Sequence, residues 1–263
     1  MGQDVTTWHY GLVARWWAEF NVGGDDVEFF RDAIERCGEP ALDAGCGTGR
    51  LLLPFLRSGM DVDGSDVSGD MLGWCATKAE AEGLSANLYT QAMHELELPR
   101  RYRTVIVCGA FGLGGTRARD LEGLRRIHAH LQPGGTLLMD HHLAKRDSDY
   151  GRARTEGLDL PLSWPEQGDR RRTSDGVELD LRTRLLEADP IERTITREIC
   201  AREFVDGAEV RNETNSIVIC GYSTTEVESM LEGVGFGDIR VTGALEDRPP
   251  RPEDEFVIFE AVA

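Results

Sequence analysis

The short apolar start Ala41-Leu42 runs into Asp43-Ala44-Gly45-Cys46-Gly47-Thr48-Gly49-Arg50, and a helix-period apolar pattern follows at once. Glycines at three alternate positions between a strand and a helix leave few folds open. They mark a sharp turn whose backbone approaches a ligand without a Cβ in the way, while the first N–H groups of the next helix remain free to donate. The same rhythm of short apolar runs and helical segments fills the first 143 residues and predicts β-α units with a mainly parallel sheet. Strands are expected near 40–45, 60–65, 87–91, 103–108 and 135–140. Helices are expected near 25–37, 49–58, 68–82 and 117–131, the last ending before the breaker Gln132-Pro133-Gly134-Gly135.

From about residue 144 the pattern changes. VELDLRTRLLEA (177–188), IERTITREICAREF (191–204) and EVRNETNSIVIC (209–220) are rich in β-branched residues and are separated by the turn pairs Asp189-Pro190 and Asp206-Gly207. They read as an antiparallel β insertion, 144–221, a cap interrupting one domain made of 1–143 and 222–263. Within it, Arg170-Arg171-Arg172 admits an anionic acceptor group, whereas the many acidic neighbours offer strand-to-strand ion pairs instead. A helix near 224–236 and strands near 238–243 and 255–262 then resume the first pattern, with Pro249, Pro250 and Pro252 in the last turn.

The glycine turn excludes some ligands. Counting from Gly45 and Gly47, the third glycine of the dinucleotide fingerprint is replaced by Arg50, and no Gly-Lys-Ser/Thr of a P-loop follows. Asp43 at the strand end favours an ammonium group, held directly or through water. Twenty-three positions later the second strand ends on Asp66, whose carboxylate can accept both hydroxyls of a ribose. An amino acid joined to a nucleoside satisfies both positions better than a pyrophosphate does.

The segment DAGCGTGRLLLPFLRSGMDVDGSDVSGDML, with LYTQAMHELELPRRYRTVIVCGAFG and LQPGGTLLMD after it, resembles the class I S-adenosylmethionine-dependent methyltransferases over roughly 41–143. The resemblance implies an α/β, Rossmann-like, mainly parallel seven-stranded sheet with an antiparallel last strand, the antiparallel β cap being an addition. It also implies that Gly45, Gly47 and Gly49 line the methionine part of the cofactor, Asp66 the ribose, and Ser68 and Met71 the adenine side, with Cys46 and Val67 between them in contact. Ala92 and Met93 fall on the loop after the third strand, where the family often has an acid at the position of Ala92. Cys108 and Phe111 fall beside the methionine moiety and the acceptor. In related small-molecule enzymes an N-terminal helix covers the cofactor, so Tyr10 and Arg15 are candidates to hold its carboxylate.

His141 and His142 end the fifth strand, where an imidazole can take a proton from an acceptor hydroxyl or ammonium. Side chains at adjacent strand positions face opposite ways, so at most one of the two faces the pocket. Neither forms a metal site with Asp140, because neighbours on a strand do not converge. The six cysteines show no C-x-x-C pair.

The formal charge of −18 disfavours nucleic acid, and neither a membrane-spanning run nor a secretory leader is evident, so a cytoplasmic protein is expected. The expected partner is a small-molecule methyl acceptor. The resemblance extends to glycine and amino-sugar N-methyltransferases, which together with the acidic balance tilts the expectation toward N-methylation over O-methylation of a polar molecule in secondary metabolism. The product cofactor would be S-adenosylhomocysteine. The cap is also a candidate homodimer surface. The rival reading is a noncatalytic cofactor-binding or interaction protein that keeps the fold.

Overall fold

The computed structural model describes residues 7–143, 152 and 157–263, so parts of the expected insertion, 144–151 and 153–156, lie outside the described residues. Along the chain run α1 (Gly11–Phe20), α2 (Asp25–Cys37), β1 (Ala41–Ala44), α3 (Leu52–Arg57), β2 (Val62–Asp66), α4 (Gly69–Ala81), β3 (Leu88–Thr90), β4 (Tyr102–Val107), α5 (Arg117–His130) and β5 (Leu131–His142). Then follow β6 (Asp169–Arg172), β7 (Glu178–Asp189), β8 (Thr194–Val205), β9 (Ala208–Cys220), α6 (Thr224–Val234), β10 (Gly237–Gly243) and β11 (Phe256–Val262). Two compact units result.

The larger unit takes the described residues of 23–111, 116–143 and 222–263. Its seven strands lie in the order β10-β11-β5-β4-β1-β2-β3, parallel from β5 to β3, with β11 antiparallel to both β5 and β10. This is a Rossmann-like mixed sheet. One face is closed by α2, α3 and α4: Phe30 and Ile34, Leu52 and Phe55, and Leu72 and Cys75 pack with Ile106, Leu138 and Ile258. On β5, Leu137, Met139 and His141 alternate with Leu138 and take the opposite face. Helix ends follow local chemistry. Asp25, Asp26 and Glu28 fill the first turn of α2, where the helix dipole favours acids, and Ser68 caps α4.

At α6, Ser223 accepts from the Glu226 amide while the Glu226 carboxylate accepts from the Ser223 amide, a reciprocal cap closed at the far end by Gly235 in the left-handed region. Ser223→Ala should lower stability by about 1 kcal/mol, read from urea unfolding, and an unchanged midpoint would contradict the capping account.

Strand β5 differs from expectation. It begins at Leu131 opposite Tyr102 and is next in register at Thr136 opposite Thr104, so Gln132–Gly135 form an irregularity within the strand rather than a linker before it. Gly134, at φ +71°, lets the chain rejoin the ladder.

The smaller unit takes the described residues of 1–22, 112–115 and 144–221, so the N-terminal segment and the Gly112–Gly115 stretch group with the insertion rather than with 23–143 as the sequence division had them. Its four strands are antiparallel in the order β6-β7-β8-β9. Helix α1 covers one face, burying Leu12 and Val13 against Leu179, Leu181, Ile199 and Ile217. Polar anchors fix it there. Glu213 accepts from the Leu12 amide at 2.7 Å at the helix start, Arg15 donates to Glu203 and Asp175, and Glu19 accepts from Ser174. The edge strand β6 has no apolar alternation. Its arginines instead pair with Glu178 and Asp169, and Arg170 stacks on Phe204, so the ion-pair reading of this run is the one that the fold realises.

Candidate active site

Strand order reverses between β1 and β4, the position at which open parallel sheets leave a crevice beyond their carboxyl ends. The glycine turn sits there. Amides of Gly45 and Cys46 both donate to the Ser65 carbonyl, at 2.7 and 2.9 Å, tying the turn to β2. Gly45 and Gly47 have φ of +89° and +54°, and a Cβ on Gly45 would lie 2.6 Å from the Ala110 side chain. At Gly47 the nearest atom to such a Cβ is the Met71 methyl, 3.1 Å away, which places Met71 against the turn. Gly49 is likewise left-handed, and Cys46 is buried, its thiol pushed well up by burial.

Asp66 ends β2 and closes the turn from the other side. One carboxylate oxygen accepts from the Gly47 amide at 2.9 Å and the other from the Ser68 amide at 2.8 Å. Each oxygen keeps a second lone pair. Burial nevertheless pushes this carboxyl above its ordinary range, with the two amide bonds opposing the shift. Val67 is half-buried, and Ser68, fully buried, accepts from the Met71 amide.

Asp43 is 2% exposed and its Oδ2 meets no protein donor. Burial raises its pKa from 3.8 to about 7, against the opposing pull of Arg50. Because the folded protein ionises this carboxyl less readily than the unfolded chain does, wild-type stability loses ground as pH rises from about 4 to about 7, and the loss is complete above that. An asparagine at this position cannot ionise. The melting temperature of Asp43→Asn relative to wild type should therefore climb across that window and then level, whereas a constant offset would contradict the shift.

Around the ends of β4 and β5 lies a polar cluster that sequence reasoning missed in part. Arg50 donates to Asp26 at 2.7 Å and to the Cys108 sulfur at 3.4 Å. That sulfur also lies 3.5 Å from Asp26 and 3.7 Å from Asp140, and Asp140 accepts from the Gly109 amide at 2.7 Å. Burial pushes the Cys108 thiol far up and the Asp140 carboxyl up. Arg50, directly after the third glycine, was a visible signal. Asp26 was not, being one of three acids in the first turn of α2.

The remaining expected residues are spread. His141 is buried, its ring nitrogen 2.9 Å from the Tyr222 carbonyl, so that nitrogen carries the proton, and burial lowers its pKa. His142 is exposed at the strand end, beside Phe256 and on the same side as Asp140. Phe111 packs against Tyr222 at 5.4 Å. Ala92 precedes a single turn over Met93–Glu95, and Met93 packs against α5 at Gly123. Gln91, a potential stand-in for the missing acid, has both ends of its amide bonded to the Glu97 backbone. Tyr10 caps α1, and Arg15 is held by carboxylates of its own unit. Sites so far apart in sequence meet only where the sheet brings strand ends together.

The sequence model of the family described as "Methyltransferase domain" matches residues 41–135, which span the glycine turn, Asp66 and the loop after β4. Residues 41–135 thus carry the sequence pattern of a methyltransferase domain. A protein of Geobacillus sp. (strain WCH70), provisionally named a methyltransferase, is 26% identical over 224 residues, covering 84% of this chain and 83% of that one. Among solved structures, the CcbJ methyltransferase from Streptomyces caelestis shares the fold of this chain with a TM-score of 0.73 at 17% identity, covering 98% of each chain. The S-adenosylmethionine-bound amino pentose methyltransferase CalS10 from Micromonospora echinaspora, involved in calicheamicin biosynthesis, does so with a TM-score of 0.61 at 18% identity, covering 90% of each. S-adenosylmethionine is the ligand that the CalS10 structure holds. The turn that a Cβ would block, the spare lone pairs of Asp66 and the unpartnered oxygen of Asp43 fit such a ligand. No described helix is long and apolar enough to cross a membrane.

Proposed function

We propose that this chain is an S-adenosylmethionine-dependent methyltransferase acting on a polar small molecule, an amine in preference to a hydroxyl, with the larger unit holding the cofactor. The carrying observation is the excess of acids over bases in this cluster: Arg50 donates to Asp26 and opposes the effect of burial on Asp43, and a further carboxyl, Asp140, stands beside Cys108. Burial pushes Asp43 and Asp140 above the ordinary carboxylate range, and an arriving cation would favour their ionised forms. That environment favours a positively charged ligand over an anionic one. The fold shared with an enzyme whose name specifies an amino pentose supports the same choice.

When bound, the cofactor supplies a methyl group activated on a sulfonium. The chain's part is to bind and align. In this reading Gly45, Gly47 and Gly49 admit the methionine portion, Asp66 accepts the ribose hydroxyls, Ser68 and Met71 wall the adenine side, and Cys108 and Phe111 stand beside the acceptor. An amine attacks once neutral and needs mainly positioning. A hydroxyl needs a base, and His142 suits that role better than His141, whose protonated nitrogen is committed to Tyr222. Arg15 serves the ion pairs of the smaller unit.

The test is transfer of an isotopically labelled methyl group to a panel of amino sugars, other small amines and their hydroxyl counterparts, read by mass spectrometry. Labelled amine products are expected, and transfer to hydroxyls alone would contradict the amine preference. For any hydroxyl acceptor, His142→Ala should lower turnover by about a hundredfold while changing amine turnover much less. Equal loss on both acceptors would remove His142 as a base.

A further inference from the structure

Asp140 ties the end of β5 to the loop after β4. It projects from β5 on the face of Leu138, and its Oδ1 accepts from the Gly109 amide at 2.7 Å while its Oδ2 stands 3.7 Å from the thiol of Cys108. Both partners belong to the first residues after β4, where Gly109 turns through the left-handed region at φ +65°. The next residue, Ala110, occupies the space that a side chain on Gly45 would need, since a Cβ built there falls 2.6 Å from the Ala110 methyl. The contacts therefore run from the β5 carboxylate through the β4 loop to the back of the β1 turn. A Cβ on Gly109 would meet nothing within 4 Å, so protein packing does not hold that residue from the side a Cβ would take. The hydrogen bond that the Gly109 amide donates to Asp140 does so.

We propose that Asp140 is a positioning residue: it holds the Gly109 amide so that Ala110 braces the Gly45 turn in the shape that binds the cofactor. This rests on the cofactor reading of that turn. Position and charge make different demands. Asparagine at 140 retains an oxygen that can accept from Gly109 but carries no charge, whereas alanine removes both. If bracing is what matters, Asp140→Asn stays near wild type and Asp140→Ala fails. If the negative charge matters, both fail alike.

The experiment is calorimetric titration of the full chain and its variants with S-adenosylhomocysteine, combined with amide hydrogen exchange of the free proteins. Asp140→Ala should weaken binding by about tenfold or more, and Asp140→Asn by no more than about twofold. The Gly109 amide should be protected in the wild type and in Asp140→Asn and should exchange freely in Asp140→Ala. Ala110→Gly, which leaves Asp140 intact and removes the brace, should weaken binding by about threefold or more through the loosened turn. Equal losses in the Asn and Ala variants, wild-type affinity in Asp140→Ala, or wild-type affinity in Ala110→Gly would each overturn the proposal. An unprotected Gly109 amide in the wild type would overturn it without any variant. Failure of the wild type to bind S-adenosylhomocysteine would instead defeat the cofactor reading, and the exchange measurement would still decide whether Asp140 holds the loop.

Discussion

Asp66→Ala should cut affinity for S-adenosylmethionine by about a hundredfold, the loss of two charge-assisted hydrogen bonds to the ribose. The carboxylate does two jobs from one place. It already receives the Gly47 and Ser68 amides at 2.9 and 2.8 Å, which fixes the glycine turn to the start of α4, and in the proposed reading the remaining lone pairs are the ones offered to the ribose. Alanine leaves both amides without that acceptor and the hydroxyls without a carboxylate. Asparagine offers one accepting oxygen instead of two, so Asp66→Asn should lie between wild type and Asp66→Ala. Calorimetry on the three proteins orders them, and Asp66→Ala binding as well as wild type would remove Asp66 from the site.

The largest stability loss is expected away from the site, at Asp63. This carboxylate, 1% exposed in the middle of β2, accepts from Asn87, from two nitrogens of Arg100 and from the hydroxyl of Tyr102, which is itself fully buried. Hydrogen bonds to Asp61 and then to Asp63 raise the Arg100 guanidinium pKa further, and Asp63 drives the Tyr102 hydroxyl up in addition to the larger effect of burial. Removing one partner of a buried ion pair leaves the other groups desolvated and unmatched, a cost of about 3–5 kcal/mol. For a chain of this size that corresponds to a fall in melting temperature on the order of 10 °C for Asp63→Ala. Asp61 grips the same guanidinium from the surface, at 2.7 Å, but 55% of its side chain is exposed. Asp61→Ala should therefore cost no more than about 1 kcal/mol. Equal melting points for the two variants would contradict the burial argument.

Much of the glycine turn was legible because its requirements are local. Alternate glycines, a strand-end acid and a second acid one β-α unit later can be seen without knowing what packs where. The hairpins of the insertion were legible for the same reason, through Asp189-Pro190 and Asp206-Gly207. What escaped depends on distant partners. Strand β6 has no apolar alternation, and its arginines earn a place in the sheet only by meeting Glu178 and by Arg170 stacking on Phe204. Helix α1 was expected to belong with the sheet, yet Glu213, 201 positions away, holds its first turn in the smaller unit. The two histidines looked equivalent because alternation predicts opposite faces without saying which is which. Only the Tyr222 carbonyl, arriving after the insertion, distinguishes the buried His141 from the exposed His142.

The proposed function depends on the 41–66 turn taking an adenosyl-methionine ligand rather than a dinucleotide. Titrating the wild-type protein with S-adenosylhomocysteine and, separately, with NAD decides this. Saturable one-to-one binding of S-adenosylhomocysteine with no binding of NAD is the predicted result, and binding of NAD without S-adenosylhomocysteine would contradict it.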